Sequence, residues 1–402
     1  MKKTIHFLFI SLFITVISAP FVFGLLQIGV TLEKTFKYTE NRTKNVFPSD
    51  DFTRQKFEEW LEDSYGFRRH LVALNAQIYR LLKVSNKPDM VVWGKDGWMF
   101  LGDMFRNVLS KHYGLYKAQE KEFHQCLTVR QAESEFLATR NIPYFIVVAP
   151  DKHSIYPEYL TPPVGSHKSE FDRFLELNKD YGVQILDLRP MMLEEKKEHG
   201  TLLYHKTDTH WSDLGSYLAY KEIVTTINQN IPGLEIKPLV LKDFKVQDYE
   251  VNFGLVKLLG IPNGYVHDFW IRPQFTRPFN KLKAMNPDNK NLPWKADKKV
   301  PNPTKVTIIN EACGNTLNVL FLRDSFSSSL SEFYNQTFYK STYIHWDQPE
   351  SRQFVGLIDK YKPDIVIVQQ AERSILSPLT LSPQIAAHKK AIKTKTPTAP
   401  SK

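Results

Sequence analysis

From Tyr144 to Val368 short β-rich runs alternate with helix-period segments, which predicts an α/β fold: a mostly parallel sheet with helices on both faces. Two further observations agree. The runs Tyr144–Ala149, Leu317–Leu322 and Ile365–Val368 are continuously apolar or nearly so, as strands buried on both faces require. The composition, 42% hydrophobic and 24% charged over 402 residues, is that of a globular chain with a substantial core.

Taken in order, the chain opens with Lys2-Lys3 and an apolar run from Ile5 to Val30 that holds no charged residue. About 20 such residues span a bilayer, so residues 1–32 are expected to form a transmembrane anchor. The lysines place its start in the cytoplasm and the rest of the chain outside, on the periplasmic side of an inner membrane. A cleaved signal peptide is the alternative, because Ile17-Ser18-Ala19 offers small residues, although Pro20 follows directly. A buried core helix is a third. Residues 33–84 read as a juxtamembrane linker followed by helices over Phe52 to Val84, interrupted at Tyr65-Gly66. Val91 to Leu101 reads as a tight hairpin about Asp96-Gly97. Helices are expected over 118–139, 171–179, 214–227 and 327–334, and a further strand over 183–188. The main domain is expected over 85–382. Residues 231–307, rich in Pro, Asn and Lys, interrupt the alternation as a long insertion or lid, and 383–402 read as a disordered basic tail.

The formal charge of +10 is concentrated in the stretch 277–305 and in that tail. Such runs fit solvated loops, and they also fit attraction to an anionic glycan or lipid headgroup. No nucleic-acid-binding pattern accompanies them, so no nucleic-acid partner is expected. Cys126 and Cys313 form no C-x-x-C pair, which points away from zinc and thioredoxin-like chemistry. One disulfide and two free thiols both remain open. No cofactor and no metal centre are expected.

Two short motifs carry chemistry. In Asp324-Ser325-Phe326 a serine follows a strand and precedes a helix, where its hydroxyl projects over the carboxyl end of the sheet. Helix N–H groups beside it would face a developing oxyanion. Taken alone, the same serine is more often a helix cap. In Thr207-Asp208-Thr209-His210-Trp211 the acid and the imidazole stand two apart, and on an extended segment or loop they point the same way. A serine hydroxyl needs such a base, and the base needs a carboxylate to set its tautomer. His205 and His210 as metal ligands are the alternative, with no third ligand nearby. The candidate catalytic residues are therefore Asp208, His210 and Ser325.

These motifs stand in an ordered set: Val92-Trp93-Gly94-Lys95-Asp96-Gly97-Trp98-Met99-Phe100-Leu101; Val147 to Lys152 with Tyr156-Pro157; Asp208-Thr209-His210-Trp211; Arg323 to Phe326; and Pro363 to Val368 with Glu372-Arg373. The set resembles the SGNH-like alginate O-acetyltransferase family and its relatives in other cell-surface polysaccharide systems. The resemblance implies an SGNH-like three-layer sandwich, with Asp208 as acid, His210 as base and Ser325 as nucleophile. It also implies an extracytoplasmic polysaccharide as acceptor and a membrane-bound O-acyltransferase as acyl donor. Lys152, Trp211 and Arg373 are the candidate substrate-binding residues; Lys152 and Arg373 follow strands that should end near the site, and buried or surface ion pairs are the alternative for those two. The insertion has no counterpart in the family pattern, and no separate carbohydrate-binding domain is expected after the last strand. The leading expectation is O-acetyl transfer through a serine acyl-enzyme. A carbohydrate esterase would use the same three residues with water as acceptor, and a non-catalytic glycan-binding scaffold would need none of them.

Overall fold

The computed structural model describes residues 2–25, 52–64 and most of 74–377; the longest stretches outside the described residues within that last range are 163–167 and 287–304. The chain forms two compact units, one of residues 1–86 with 259–265, the other of residues 87–258 with 266–402. In the first unit one helix covers Lys2–Leu25 and another Arg54–Ser64. Among the described residues no helix is long and apolar enough to cross a membrane. The transmembrane helix expected at the N-terminus therefore lacks structural support, and the apolar run from residue 26 to 30 lies outside the described residues. The expected break at Tyr65-Gly66 and most of the tail lie outside the described residues.

The second unit carries the sheet. Its strands are β1 (Val91–Trp93), β2 (Met99–Leu101), β3 (Tyr144–Ala149), β4 (Ile185–Asp187), β5 (Leu241–Glu250) and β6 (His267–Phe275). They continue as β7 (Lys283–Met285), β8 (Val306–Ile309), β9 (Asn318–Arg323), β10 (Lys340–His345) and β11 (Ile365–Ala371). Seven form one sheet in the order β4-β3-β11-β9-β10-β8-β7. Neighbours from β4 to β10 are parallel, whereas β8 and β7 add antiparallel. The sheet is thus mixed, a five-strand parallel block extended at one edge.

Strand periodicity builds the layers, because successive side chains point to opposite faces. On β3, Phe145, Val147 and Ala149 join one hydrophobic cluster, and Tyr144, Ile146 and Val148 join the other. On β9 the split is Val319 and Phe321 against Leu320 and Leu322. The first cluster is closed by helices Asp213–Asn230 and Ser327–Thr337, through Tyr217, Tyr220, Phe333 and Tyr334. The second is closed by Glu120–Ala138, Glu170–Asn178 and Phe354–Tyr361. This is the expected three-layer α/β sandwich.

Two local expectations change. The hairpin β1–β2 pairs Trp93 with Met99, so its loop runs from Gly94 to Trp98 and is not a two-residue turn. Trp98 is fully buried, and its carbonyl accepts from Gly94 N at 2.7 Å, which pulls the loop inward. The stretch 231–307 is not a plain loop. It holds the antiparallel ribbon β5–β6, a short helix Gly254–Leu258, strand β7 and the first residues of β8. Its polar side chains concealed the strands, since β5 is largely exposed.

One buried ion anchors the second cluster. Arg130, 1% exposed, donates to Glu133 and the Tyr144 hydroxyl at 3.1 Å and to Gln370 at 3.2 Å, joining its helix to β3 and β11. Removing one member of a buried pair leaves the other charge uncompensated. Arg130→Ala should therefore lower unfolding free energy by about 3–5 kcal/mol, read as a shift of the urea midpoint. A midpoint within experimental error of the wild type would show that the sandwich does not depend on this contact.

Candidate active site

The segment carrying His210 is a tight loop. Tyr204 and Trp211 form an isolated antiparallel bridge, and His205 N donates to the His210 carbonyl at 3.4 Å. Helix Asp213–Asn230 begins directly after it, with Ser212 accepting from Gly215 N at 3.1 Å as the cap. In this loop Asp208 and His210 face the same way, as the two-residue spacing required.

Asp208 Oδ1 accepts from the His210 backbone N–H at 2.9 Å and lies 2.6 Å from His210 Nδ1. A carboxylate only accepts, so Nδ1 carries the ring proton. Nε2 is left as the acceptor for the Ser325 hydroxyl, 2.8 Å away. Burial alone would raise the Asp208 carboxyl, but the His210 imidazole and its two hydrogen bonds outweigh that and hold it well below the ordinary range. The Asp208 side chain is 9% exposed and that of His210 31%.

Ser325 sits two residues after β9 and two before helix Ser327–Thr337. Asp324 fixes this turn by accepting from Phe326 N at 3.0 Å and from Ala371 N at 2.6 Å, which ties the ends of β9 and β11 together. Burial raises the Asp324 carboxyl. Because Phe326 N is taken by Asp324, that N–H does not face the cleft as an oxyanion donor, contrary to the simplest expectation for a helix start.

The three candidate substrate-binding residues fare differently. Trp211 is 1% exposed and donates through Nε1 to Phe326 O at 3.2 Å and Ser329 Oγ at 2.7 Å. It brackets the loop and the serine helix, and the Phe326 ring packs against both Trp211, at 5.1 Å, and His210, at 4.9 Å. Lys152 is 2% exposed and directs Nζ to three carbonyls of the 205–208 segment. Its three donors are thus spent on the protein's own backbone. Arg373 pairs with Asp151 and lies 5.6 Å from the Phe326 ring, beside the site. His205 Nδ1 points to Phe269 O at 3.2 Å, so His205 and His210 serve separate partners. Cys126 and Cys313 are both free; burial pushes Cys126 up to about 11.

Sequence reasoning missed Gly254 and Asp268, both from the ribbon region. A Cβ at Gly254 would lie 2.2 Å from Asp208 Oδ2, and its φ of +65° suits glycine. Asp268 Oδ2 accepts from Thr207 N at 2.8 Å and Oγ1 at 2.6 Å. Neither position stands in a recognisable motif, so only the folded chain brings them to Asp208.

Comparison with known proteins bears on the fold and on the family. Residues 91–255 match the family described as SGNH hydrolase-like domain, acetyltransferase AlgX, a range that includes Asp208 and His210 but not Ser325. The chain resembles the SGNH-like alginate O-acetyltransferases. It is 29% identical over 200 residues to the probable alginate O-acetylase AlgJ of Pseudomonas aeruginosa, covering 49% of this chain and 46% of that protein. Against the AlgJ of Pseudomonas syringae pv. tomato the identity is 22% over 240 residues, 59% of this chain and 56% of the relative. The chain thus spans about half the length of the curated relatives it matches. The structure of Bacillus cereus PatB1 superposes with a TM-score of 0.54 at 16% identity, over 73% of this chain and all of that one, which shows a shared fold.

Two outcomes follow from the site's geometry. Gly254→Ala should cost roughly 1–3 kcal/mol, because it puts a side chain in the left-handed region and against Asp208. Urea unfolding checks this, and a fully stable variant would mean that the helix start at Gly254 can move off the carboxylate. Asp208, held low in the folded state, contributes stability above its unfolded value of about 4 and loses it as pH falls. The stability gap between wild type and Asp208→Asn should accordingly be constant above about pH 5 and close below about pH 4. Parallel curves at every pH would refute it.

Proposed function

We propose that this protein is an O-acetyltransferase that moves an acetyl group through Ser325 onto hydroxyls of an extracytoplasmic polysaccharide. The observation that carries the reading is the hydrogen-bond chain itself: Asp208 to His210 at 2.6 Å and His210 to Ser325 at 2.8 Å, at the carboxyl end of the sheet. The similarity of residues 91–255 to an acetyltransferase domain supports the choice of acyl transfer.

In the first half-reaction His210 Nε2 takes the Ser325 proton as Oγ bonds to the acetyl carbonyl carbon. The tetrahedral intermediate collapses, the donor's leaving group departs with the proton from Nε2, and the acetyl ester remains on Ser325. A sugar hydroxyl then loses its proton to Nε2 and attacks the ester, and the proton returns to Ser325 Oγ. Asp208 stays ionised throughout, holding the imidazole in the Nδ1–H form and stabilising the imidazolium. Arg373, beside the Phe326 ring, is the candidate for substrate contact. A membrane-bound O-acyltransferase is the proposed donor. The extracytoplasmic location is proposed with the acceptor, a polysaccharide of the kind named in the alginate O-acetylase relatives.

Incubation with an activated acetyl ester should release a burst of about one equivalent of alcohol per site and add one acetyl mass to the Ser325 peptide. Ser325→Ala should abolish the label and lower turnover on the order of 10⁴-fold or more, and Asp208→Asn should slow it by a similar factor through the wrong tautomer. An oligosaccharide acceptor should then collect the acetyl group. Transfer to water alone would make the protein an esterase, and no label from any reactive ester would make it a scaffold.

A further inference from the structure

Lys152 is almost fully buried, yet it belongs to neither half of the hydrogen-bond chain. It follows β3 by three residues, at the start of the short helix Lys152–Ile155. Its ammonium lies 5.4 and 5.2 Å from the Trp98 and Phe100 ring centroids, so the hairpin β1–β2 walls it off from water. Nζ donates to the carbonyls of His205 at 2.9 Å, Lys206 at 2.9 Å and Asp208 at 2.6 Å. An ammonium has three N–H groups, and all three go to one short segment. A neutral amine has two, so one of the three contacts would be lost. Burial pushes Lys152 down to about 7, and the carboxylates of Asp208 and Asp268 act against it.

The same segment is held from the other side. Asp268, 3% exposed on β6, accepts the Thr207 N–H and hydroxyl, and Leu255 N donates to Thr207 O at 3.1 Å. A cation therefore grips the carbonyls of residues 205, 206 and 208, and an anion grips the N–H of 207. Asp208 accepts both His210 bonds through the single atom Oδ1, so a small shift of its backbone loosens both together.

We infer that Lys152 and Asp268 are positioning residues, a two-sided clamp that sets the Asp208 backbone so that Oδ1 meets His210. The inference rests on the acyl-transfer reading of the site. It gives the ribbon β5–β6 a role: it delivers Asp268 to the loop. Both residues are buried, so the clamp acts on the rate of acylation and not on ester binding.

The test uses the full chain with Lys152→Met, Lys152→Ala, Asp268→Ala and Asp268→Asn, and Ser325→Ala as control. With an activated acetyl ester, Lys152→Met and Asp268→Ala should slow acylation on the order of 10²-fold while the ester KM stays within about twofold. Methylammonium should restore at least about tenfold of the rate to Lys152→Ala and nothing to Lys152→Met, whose side chain fills the site. Asp268→Asn, which keeps an acceptor, should fall between wild type and Asp268→Ala. A rate within twofold of wild type for Lys152→Met, or a loss that tracks the unfolded fraction and is not rescued, overturns the clamp. A second readout needs no turnover. In protein labelled with ¹⁵N-histidine, the His210 Nδ1 proton should give a downfield resonance that Ser325→Ala keeps and Lys152→Met shifts upfield or erases. An unchanged resonance in Lys152→Met overturns the inference even if no ester reacts, and a clamp variant that loses the resonance while wild type acylates nothing defeats only the acyl-transfer reading.

Discussion

The site depends on one constraint, the parallel alignment of β3, β11 and β9, which brings their carboxyl ends to the same edge of the sheet. Ala371 pairs with Ala149, and Val368 pairs with Leu322, so the residues that follow these strands emerge side by side. Ser325 and His210 are 115 residues apart and meet only where the turn after β9 and the loop of residues 205–211 come together. A one-residue slip of β9 would exchange Phe321 and Leu322 between the two clusters and turn the serine away.

That edge concentrates buried polar groups that bond to one another. Asp151 holds Arg373, and Glu372 accepts from Asp151 N at 3.0 Å and from the Ser154 hydroxyl at 2.6 Å. Burial, reinforced by the Asp151 carboxylate, pushes Glu372 up to about 7. Arg323, fully buried at the end of β9, donates to Asp324 O at 3.2 Å and Ser328 Oγ at 3.0 Å, and burial lowers it to about 10. Such groups add little net stability, because desolvation offsets their attraction. What they contribute is direction, since a side chain with several hydrogen bonds has one orientation that satisfies them all. Trp211 follows the same logic by joining the His210 loop to the serine helix through one indole N–H.

Much of this was legible in the chain. The runs at Tyr144, Leu317 and Ile365 are apolar through nearly their whole length, and strands buried on both faces leave that mark. Asp208, His210 and Ser325 were legible for another reason: acyl transfer needs those residue types, and the loop spacing and strand-end position fit their roles. The ribbon β5–β6 was not legible, because an exposed two-stranded ribbon need not alternate apolar and polar residues strongly. Strand β10, with Ser341 and Thr342 buried inside the sheet, shows the opposite failure: the Thr342 hydroxyl meets that of Thr307 on β8 at 3.0 Å, a partner that only the fold supplies.

Local pattern, then, determined the alternation of strands and helices, the two motifs and the family likeness, since each depends on residues close together in sequence. The tertiary structure alone decided which buried ions face which. Lys152 and Trp211 carry side chains suited to binding a substrate, but the fold surrounds them with carbonyls, rings and a hydroxyl of the protein itself. Gly254 and Asp268 look unremarkable in a polar insertion, and they matter because the ribbon folds back onto Asp208. The physical reason is that a side chain's chemistry is local, whereas its partners are set by long-range packing.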